Sequence, residues 1–268
     1  MNAKIEMRGV EKTYPSDQGV VQALDDINLT VEDGEFLCIL GPSGCGKSTL
    51  LRILAGLNQQ SAGEVIMHAT RNNHRPENAV VFQEYALFPW RTVKDNVSFG
   101  LEMRGVSREE RESRTLRYLA KVGLTQFASH YPYQLSGGMK QRVALARAMA
   151  SDPEVLLMDE PFGALDAQTR SVLQEELLRI WEDEKKTVVY VTHSIEEAIV
   201  LGDRVVLMTA RPGRVKNIYP VNLPRPRHLE LRVTAEYSKL AQTLWEDLVE
   251  EVSKVMLAIG DGYGSGKE

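Results

Sequence analysis

The sequence is poor in cysteine, in long apolar runs and in net positive charge. Two cysteines, Cys38 and Cys45, cannot build a disulfide framework, and a reducing compartment such as the cytoplasm is expected. No stretch approaches the ~18 uninterrupted apolar residues that a membrane-spanning helix requires. Met1-Asn2-Ala3-Lys4-Ile5-Glu6 has no apolar run behind it, so no secretory leader is expected. A formal net charge of -5 argues against nucleic acid as a partner, because phosphate-backbone binding usually needs a basic surface. Internal repeats are missing as well. What is present is ordinary for a globular protein: 268 residues, 43% hydrophobic and 26% charged, enough for a true core in one or two domains.

The opening residues alternate polar and apolar side chains (Ile5 to Val10), the pattern of a half-buried strand, and Ala23 to Val31 repeats it. Asp33-Gly34 marks a turn. Glu35 to Leu40 is a short apolar run, the pattern of a strand buried on both faces. Helical spacing follows from Ser48 to Leu57. Charges dominate from Val106 to Val122, which reads as a solvated helix with a narrow apolar stripe. Residues 84–135 as a whole read as a mostly helical insertion. Next come a helix (Met139 to Ser151), a buried strand (Val155 to Met158), a helix (Ala167 to Glu184) and strands at Thr187 to Thr192 and Asp203 to Met208. Strands alternating with helices imply parallel pairing through crossovers. Arg211 to Arg214 and Leu223 to Arg227 carry loop signals. A last helix is expected over Glu236 to Leu257, and a mobile tail over Gly260 to Gly266. The expected organisation is one domain over 1–235, with a terminal helix and flexible tail over 236–268.

Gly41-Pro42-Ser43-Gly44-Cys45-Gly46-Lys47-Ser48 fits G-x-x-x-x-G-K-[ST] between a buried strand and a helix. Such a loop curls so that its N–H groups converge on phosphate oxygens, and the helix N-terminus faces the same charge. Lys47 can reach the β- and γ-phosphates, and the Ser48 hydroxyl can ligate Mg²⁺. Cys45 lies inside this loop, so thiol modification is expected to interfere with nucleotide binding. Val155 to Glu160 is an apolar strand ending in two carboxylates. Asp159 suits Mg²⁺, and Glu160 suits the orientation of an attacking water as general base. Ser136-Gly137-Gly138 precedes another helix; Ser136 fits an N-cap, and the capped N-terminus is a second anion-seeking element.

These motifs, in this order, resemble the ATP-binding subunit of an ABC transporter over about residues 4–230. Residues 41–49, through Thr49, resemble the Walker A motif. Gln83 resembles the Q-loop glutamine, and Leu135, Ser136, Gly137, Gly138 and Gln141 resemble the family signature. Asp159 and Glu160 resemble the Walker B acid and the catalytic glutamate. Asp166 resembles the D-loop aspartate, and it also suits a cap on the next helix. His193 resembles the switch histidine, and Tyr14 the aromatic residue that stacks on adenine. The resemblance implies an α/β P-loop NTPase (RecA-like) core with an antiparallel β subdomain and an inserted helical subdomain. It implies ATP and Mg²⁺ as cofactors, with Ser48, Gln83 and Asp159 at the metal. It also implies a second ATPase subunit, identical or a paralogue, whose signature residues hold the ATP bound by this chain's loop.

With no membrane span, transport requires permease subunits, and indirectly a solute-binding protein. The chain would then sit peripherally on the cytoplasmic face of the cell (inner) membrane. Tyr85 to Arg91 is unusually apolar for a loop and reads either as core of the helical insertion or as a docking surface, with Trp90 the anchor in the latter case. Phe88-Pro89-Trp90 and Thr209 to Val215 most resemble importer subunits for nitrate, sulfonate, taurine or bicarbonate. Another importer class, a soluble non-transport ABC ATPase, a regulatory module without turnover and an exporter half are the alternatives. Intact Glu160 and His193 argue against the regulatory module.

Overall fold

The structure is a computed structural model that describes residues 2–17, 19–68, 75–227 and 229–264. Its strands are β1 (Ala3–Ser16), β2 (Gly19–Glu32), β3 (Phe36–Leu40), β4 (Ala62–Met67), β5 (Asn78–Val81), β6 (Val155–Asp159), β7 (Thr187–Thr192), β8 (Arg204–Met208) and β9 (Val215–Pro220). Its helices are α1 (Lys47–Leu54), α2 (Val93–Met103), α3 (Arg108–Lys121), α4 (Gly137–Ala150), α5 (Ala167–Glu184), α6 (Ile195–Leu201) and α7 (Ala235–Gly264). The chain divides into two compact units, one from residues 1–68 and 189–268, the other from 69–188.

In the first unit β1 and β2 form an antiparallel hairpin, and β4 pairs antiparallel with the other edge of β1. Period-2 patterning turns Ile5, Met7, Val10, Ile27, Leu29 and Val31 inward. All five residues of β3 are buried. This strand pairs in parallel with β8, and β8 pairs antiparallel with β9. The loop between β8 and β9 closes on β2: Asp25 N–H donates to Gly213 O, and Gly213 N–H to Ala23 O, each at 3.0 Å. Helix α7 is fastened to the same hairpin by the buried Glu251. Its carboxylate accepts from Ala210 N–H at 2.9 Å and pairs with Lys216 at 3.0 Å and Lys254 at 2.7 Å.

The second unit holds the parallel pair β5–β6 and the helices α2 to α5. Helices α2, α3 and α4 pack on one another. Alanines at 144, 146, 148 and 150 keep much of the buried face of α4 thin. Each helix start has the cap its sequence offers: Thr92 for α2, Ser107 for α3, Ser136 for α4 and Asp166 for α5. Asn96 in α2 is fully buried. Its amide donates to Phe88 O, Arg91 O and Thr92 O at 3.1, 3.0 and 2.9 Å, and its oxygen accepts from Phe88 N–H at 2.8 Å. One side chain thus fixes the 88–92 loop.

Helix α5 and strand β7 fall on the expected residues, and the mostly helical character of 84–135 is present as α2, α3 and two 3-10 turns. Strand β9 is not expected from the sequence, and it does not continue the parallel pairing. Only six residues separate β8 from β9; a parallel connection needs a dozen or more, whereas a hairpin fits. Helix α7 runs past the expected end at Leu257 to Gly264. The last part of the expected mobile tail, Ser265 and Gly266, lies outside the described residues.

A Cβ added at Gly213 would lie 2.1 Å from Cys45 O, a collision with backbone. Gly213→Ala is therefore expected to lower stability by at least the ~1–3 kcal/mol typical of overpacking. Thermal unfolding of the purified variant checks this; an unchanged melting temperature would show that the loop yields freely.

Candidate active site

Six residues, Gly41 to Gly46, bridge β3 and α1. The curl demands left-handed backbone at Gly44 (φ 76°) and Gly46 (φ 106°). A Cβ at Gly46 would meet Ala23 O at 2.7 Å, so β2 is packed directly under the loop. Lys47 is buried, and its ammonium donates to Gly41 O at 2.8 Å and Pro42 O at 2.9 Å. The cation is thereby held across the mouth of the curl, at the helix end that favours anions. Ser43 and Gly44 are exposed, while Ser48 and Thr49 are half-buried in the first turn of α1. A cavity of about 830 Å³ opens beside the loop, lined by Ser43, Gly44, Arg211, Arg214, Glu251 and Lys254 among others.

Tyr14, also in the first unit, is half-buried near the end of β1. Its hydroxyl accepts from Asn58 Nδ2 at 3.0 Å, and Lys12 Nζ stands 4.9 Å from the ring centroid. His193 is exposed at the end of β7. The turn that carries it is pinned from below by the buried Glu197. That carboxylate accepts from Thr192 Oγ1 at 2.6 Å and Tyr190 OH at 3.1 Å, and Thr192 Oγ1 in turn accepts from Ser194 N–H at 3.0 Å.

In the second unit, β6 delivers the acids. Asp159 ends the strand and is buried. Glu160 takes left-handed backbone (φ 42°), a conformation that costs a non-glycine residue on the order of 1–3 kcal/mol. The bend turns the chain sharply after β6, closed by Gly163 N–H to Glu160 O at 3.0 Å. Gly163 also shows what meets there. A Cβ at that position would stand 3.6 Å from Gln83 Nε2 and 3.7 Å from Glu160 Oε2, so the amide and the carboxylate flank one point. Tyr85 (φ 23°) and Ala86 (φ 48°), two and three residues after Gln83, are strained in the same sense.

Ser136 caps α4, its hydroxyl accepting from Met139 N–H at 3.3 Å. Gly137 and Gly138 are in tight quarters: added Cβ atoms would lie 3.0 Å from Tyr85 Oη and 2.8 Å from Thr169 Cγ2. Leu135 is buried. Gln141 is only 1% exposed, away from the surface that its signature neighbours offer, and its Oε1 has no hydrogen-bond partner among the described residues. Asp166 caps α5 by accepting from Thr169 N–H at 2.9 Å, and the Thr169 bonds hold its carboxyl below the usual range.

Gln83 and Glu160 thus converge within one unit, as do Tyr85 and Gly137; Tyr14, the phosphate loop and His193 belong to the other. Among the described residues no group of three or more His, Cys, Asp or Glu could hold a metal by itself. Ser48, Gln83 and Asp159 offer a hydroxyl, an amide and a carboxylate. Such hard oxygen donors fit Mg²⁺ carried largely by substrate phosphates and water. Glu197 and Asn96 escaped the sequence reading because each works by burial, which has no local motif.

The fold and these half-sites define a P-loop nucleotide-binding ATPase. The profile of the ABC transporter family matches residues 24–163. An uncharacterized ABC transporter ATP-binding protein of Methanocaldococcus jannaschii is 50% identical, over 95% of this chain and 94% of its own. An aliphatic sulfonates import ATP-binding protein of Bacillus cereus is 46% identical (83% and 88% covered). A nitrate import ATP-binding protein of Synechocystis is 45% identical (82% and 83%). Among solved structures, a dimeric post-hydrolysis ATP-binding cassette bound to ADP and Pi superposes with a TM-score of 0.72 at 36% identity, covering 82% of this chain and all of that one. The chain belongs to the ABC transporter family as an ATP-binding subunit, and it is an ATP hydrolase.

One expectation changes with the geometry. Cys45 is 1% exposed, and its Sγ stands 2.9 Å from where a Gly41 Cβ would be. Buried thiols react slowly. The folded protein should therefore resist alkylation at both cysteines and keep ATP binding, with both thiols titrating only in denaturant. Rapid labelling of Cys45 in the native protein, with loss of ATP binding, would restore the thiol-sensitive reading.

Proposed function

We propose that this chain is the energy-coupling ATPase of an importer for a small anion of the nitrate or sulfonate kind. It works as a dimer with membrane permease subunits, peripherally on the cytoplasmic face, and serves indirectly a solute-binding protein. The observation that carries the ATPase half of the reading is the convergence of Gln83 Nε2 and Glu160 Oε2 on Gly163. Two importer relatives of nearly equal identity carry the transport half. Their solutes differ, so the common chemistry, a small oxyanion, is as far as likeness reaches; taurine and bicarbonate fall in the same range.

In this reading Tyr14 presents an aromatic face to adenine, and the Gly41–Thr49 loop takes the phosphates. Mg²⁺, when bound with ATP through Ser48, Asp159 and Gln83, neutralises phosphate charge. Glu160 accepts the proton of the attacking water, Gln83 sits beside it to sense the γ-phosphate, and His193 contacts the γ-phosphate. Ser136, Gly137 and Gly138 act on the ATP of the second subunit, where a capped helix end meets a polyanion. Gln141, being buried, positions α4 and does not touch ATP. Asp166 orders the turn between Glu160 and α5.

The docking surface follows from burial. Trp90 is 71% exposed, whereas Phe88 packs on Phe99 with ring centroids 4.5 Å apart. In this reading Phe88 is packing, and Trp90, whose ring centroid lies 5.7 Å from that of Phe88, edges a groove of about 340 Å³ between α2 and α3. A helix of a permease subunit is the proposed occupant.

Glu160→Gln should bind ATP normally and lose at least about a hundredfold in turnover, the scale of a general base. In size-exclusion chromatography with Mg-ATP the variant should persist as a dimer; wild-type hydrolysis would remove Glu160 from the mechanism. Lys47→Ala should lose binding of a fluorescent ATP analogue. Trp90→Ala should melt as the wild type does and lose permease co-purification, an interface anchor being worth more than ~2 kcal/mol. A variant that melts early yet still holds the permease would refute the docking role.

A further inference from the structure

Arg147 is an unusual group for its place. It lies three turns into α4, half-buried, and burial lowers its pKa. Among the described residues no carboxylate pairs with it. Its guanidinium instead forks onto two backbone carbonyls, Ala86 O at 2.6 Å and Tyr85 O at 3.0 Å. A guanidinium presents paired donors in a rigid plane, so it fixes the relative orientation of both acceptors. Those acceptors belong to the two strained residues that follow Gln83. Left-handed backbone at non-glycine positions persists only where surroundings over-determine it, and here the Arg147 fork is one such constraint.

The same turn is tied to α4 at a second place. Tyr85 Oη packs over Gly137, where an added Cβ would stand 3.0 Å away. Gly137 and Arg147 are ten residues apart, about 15 Å along the helix axis. The turn after Gln83 is thus held to both ends of one rigid element, and that element begins with the signature residues. The turn also opens the segment that leads to Trp90.

We infer that Arg147 is a positioning residue for hydrolysis: by clamping the Tyr85 and Ala86 carbonyls it holds Gln83 beside Glu160 and ties that placement to the signature helix. This rests on the ATPase role proposed above for Gln83 and Glu160. Arg147 touches neither nucleotide nor water in this scheme. Its loss should lower kcat and spare nucleotide affinity, because the phosphate loop and Tyr14 are not part of the clamp.

The test measures ATP affinity, kcat, KM and melting temperature for Arg147→Ala and Arg147→Lys, with Glu160→Gln in parallel. Arg147→Ala is expected to bind ATP as the wild type does and to lose about ten- to a hundredfold in kcat, the scale of small misplacements near a reacting centre. Arg147→Lys keeps the charge but cannot span both carbonyls, so its kcat should fall between the two. Adding Ala86→Gly to Arg147→Ala should restore much of the kcat, since glycine holds the left-handed turn without a clamp. Wild-type kcat per folded molecule in Arg147→Ala overturns the inference, as does a kcat loss that Ala86→Gly leaves untouched. Should Arg147→Ala fail to fold, Arg147→Lys decides: reduced kcat at unchanged ATP affinity supports the clamp, and wild-type kcat refutes it. Continued hydrolysis by Glu160→Gln would instead strike at the underlying ATPase assignment, whatever Arg147 does.

Discussion

The constraint on which the phosphate loop depends is the close approach of backbones around it. Gly46 rides on Ala23 of β2, and Gly213 rides on Cys45 of the loop itself, with no room for a single methyl group at either contact. The loop is therefore held from two sides by chain distant in sequence. Preorganisation of this kind matters because ordering a loop at the moment of binding would cost conformational entropy. Lys47, already laid across the Gly41 and Pro42 carbonyls, belongs to the same arrangement.

Left-handed strain recurs beside the proposed catalytic residues. Glu160, Tyr85 and Ala86 all occupy left-handed backbone, and all three lie in the unit that contains Gln83 and the signature helix. Asp26, Asp152 and Lys185 also take such a conformation, and at other turns glycine takes it, as at Gly34 after β2 and Gly105 after α2. In the proposed mechanism Glu160 accepts a proton, which glycine could not do, so the strain there accompanies the proposed role. At Tyr85 and Ala86 the carbonyls, not the side chains alone, are what the neighbouring helix grips.

Buried polar side chains perform the remaining positioning. Asn96 satisfies four backbone groups of the 88–92 loop, Glu197 stays the turn under His193, and Glu251 fastens α7 to the β8–β9 hairpin. Each is worth more than an exposed equivalent, because removing it would strand its partners out of water. All three hold loops or turns in place and leave the apolar cores to the β-branched strands and the alanine-rich face of α4.

Sequence by itself determined the local facts. Apolar runs placed β3, β6 and β7, caps placed α4 and α5, and glycine spacing placed the phosphate loop, because these depend on residues within a few positions of one another. The acids at 159 and 160 and the glycines at 137 and 138 were legible for the same reason. Tertiary structure alone decided what distance in sequence hides. Trp90 is exposed and Phe88 packed although both sit in one apolar segment, and Cys45 is sealed although its loop neighbours Ser43 and Gly44 are open. Gln141 is withdrawn from the signature surface, and β9 folds back antiparallel. The Arg147 clamp joins residues more than sixty positions apart. Periodicity and spacing report which face of an element is apolar; only the packed chain decides which side chains are covered and which carbonyls a half-buried cation meets.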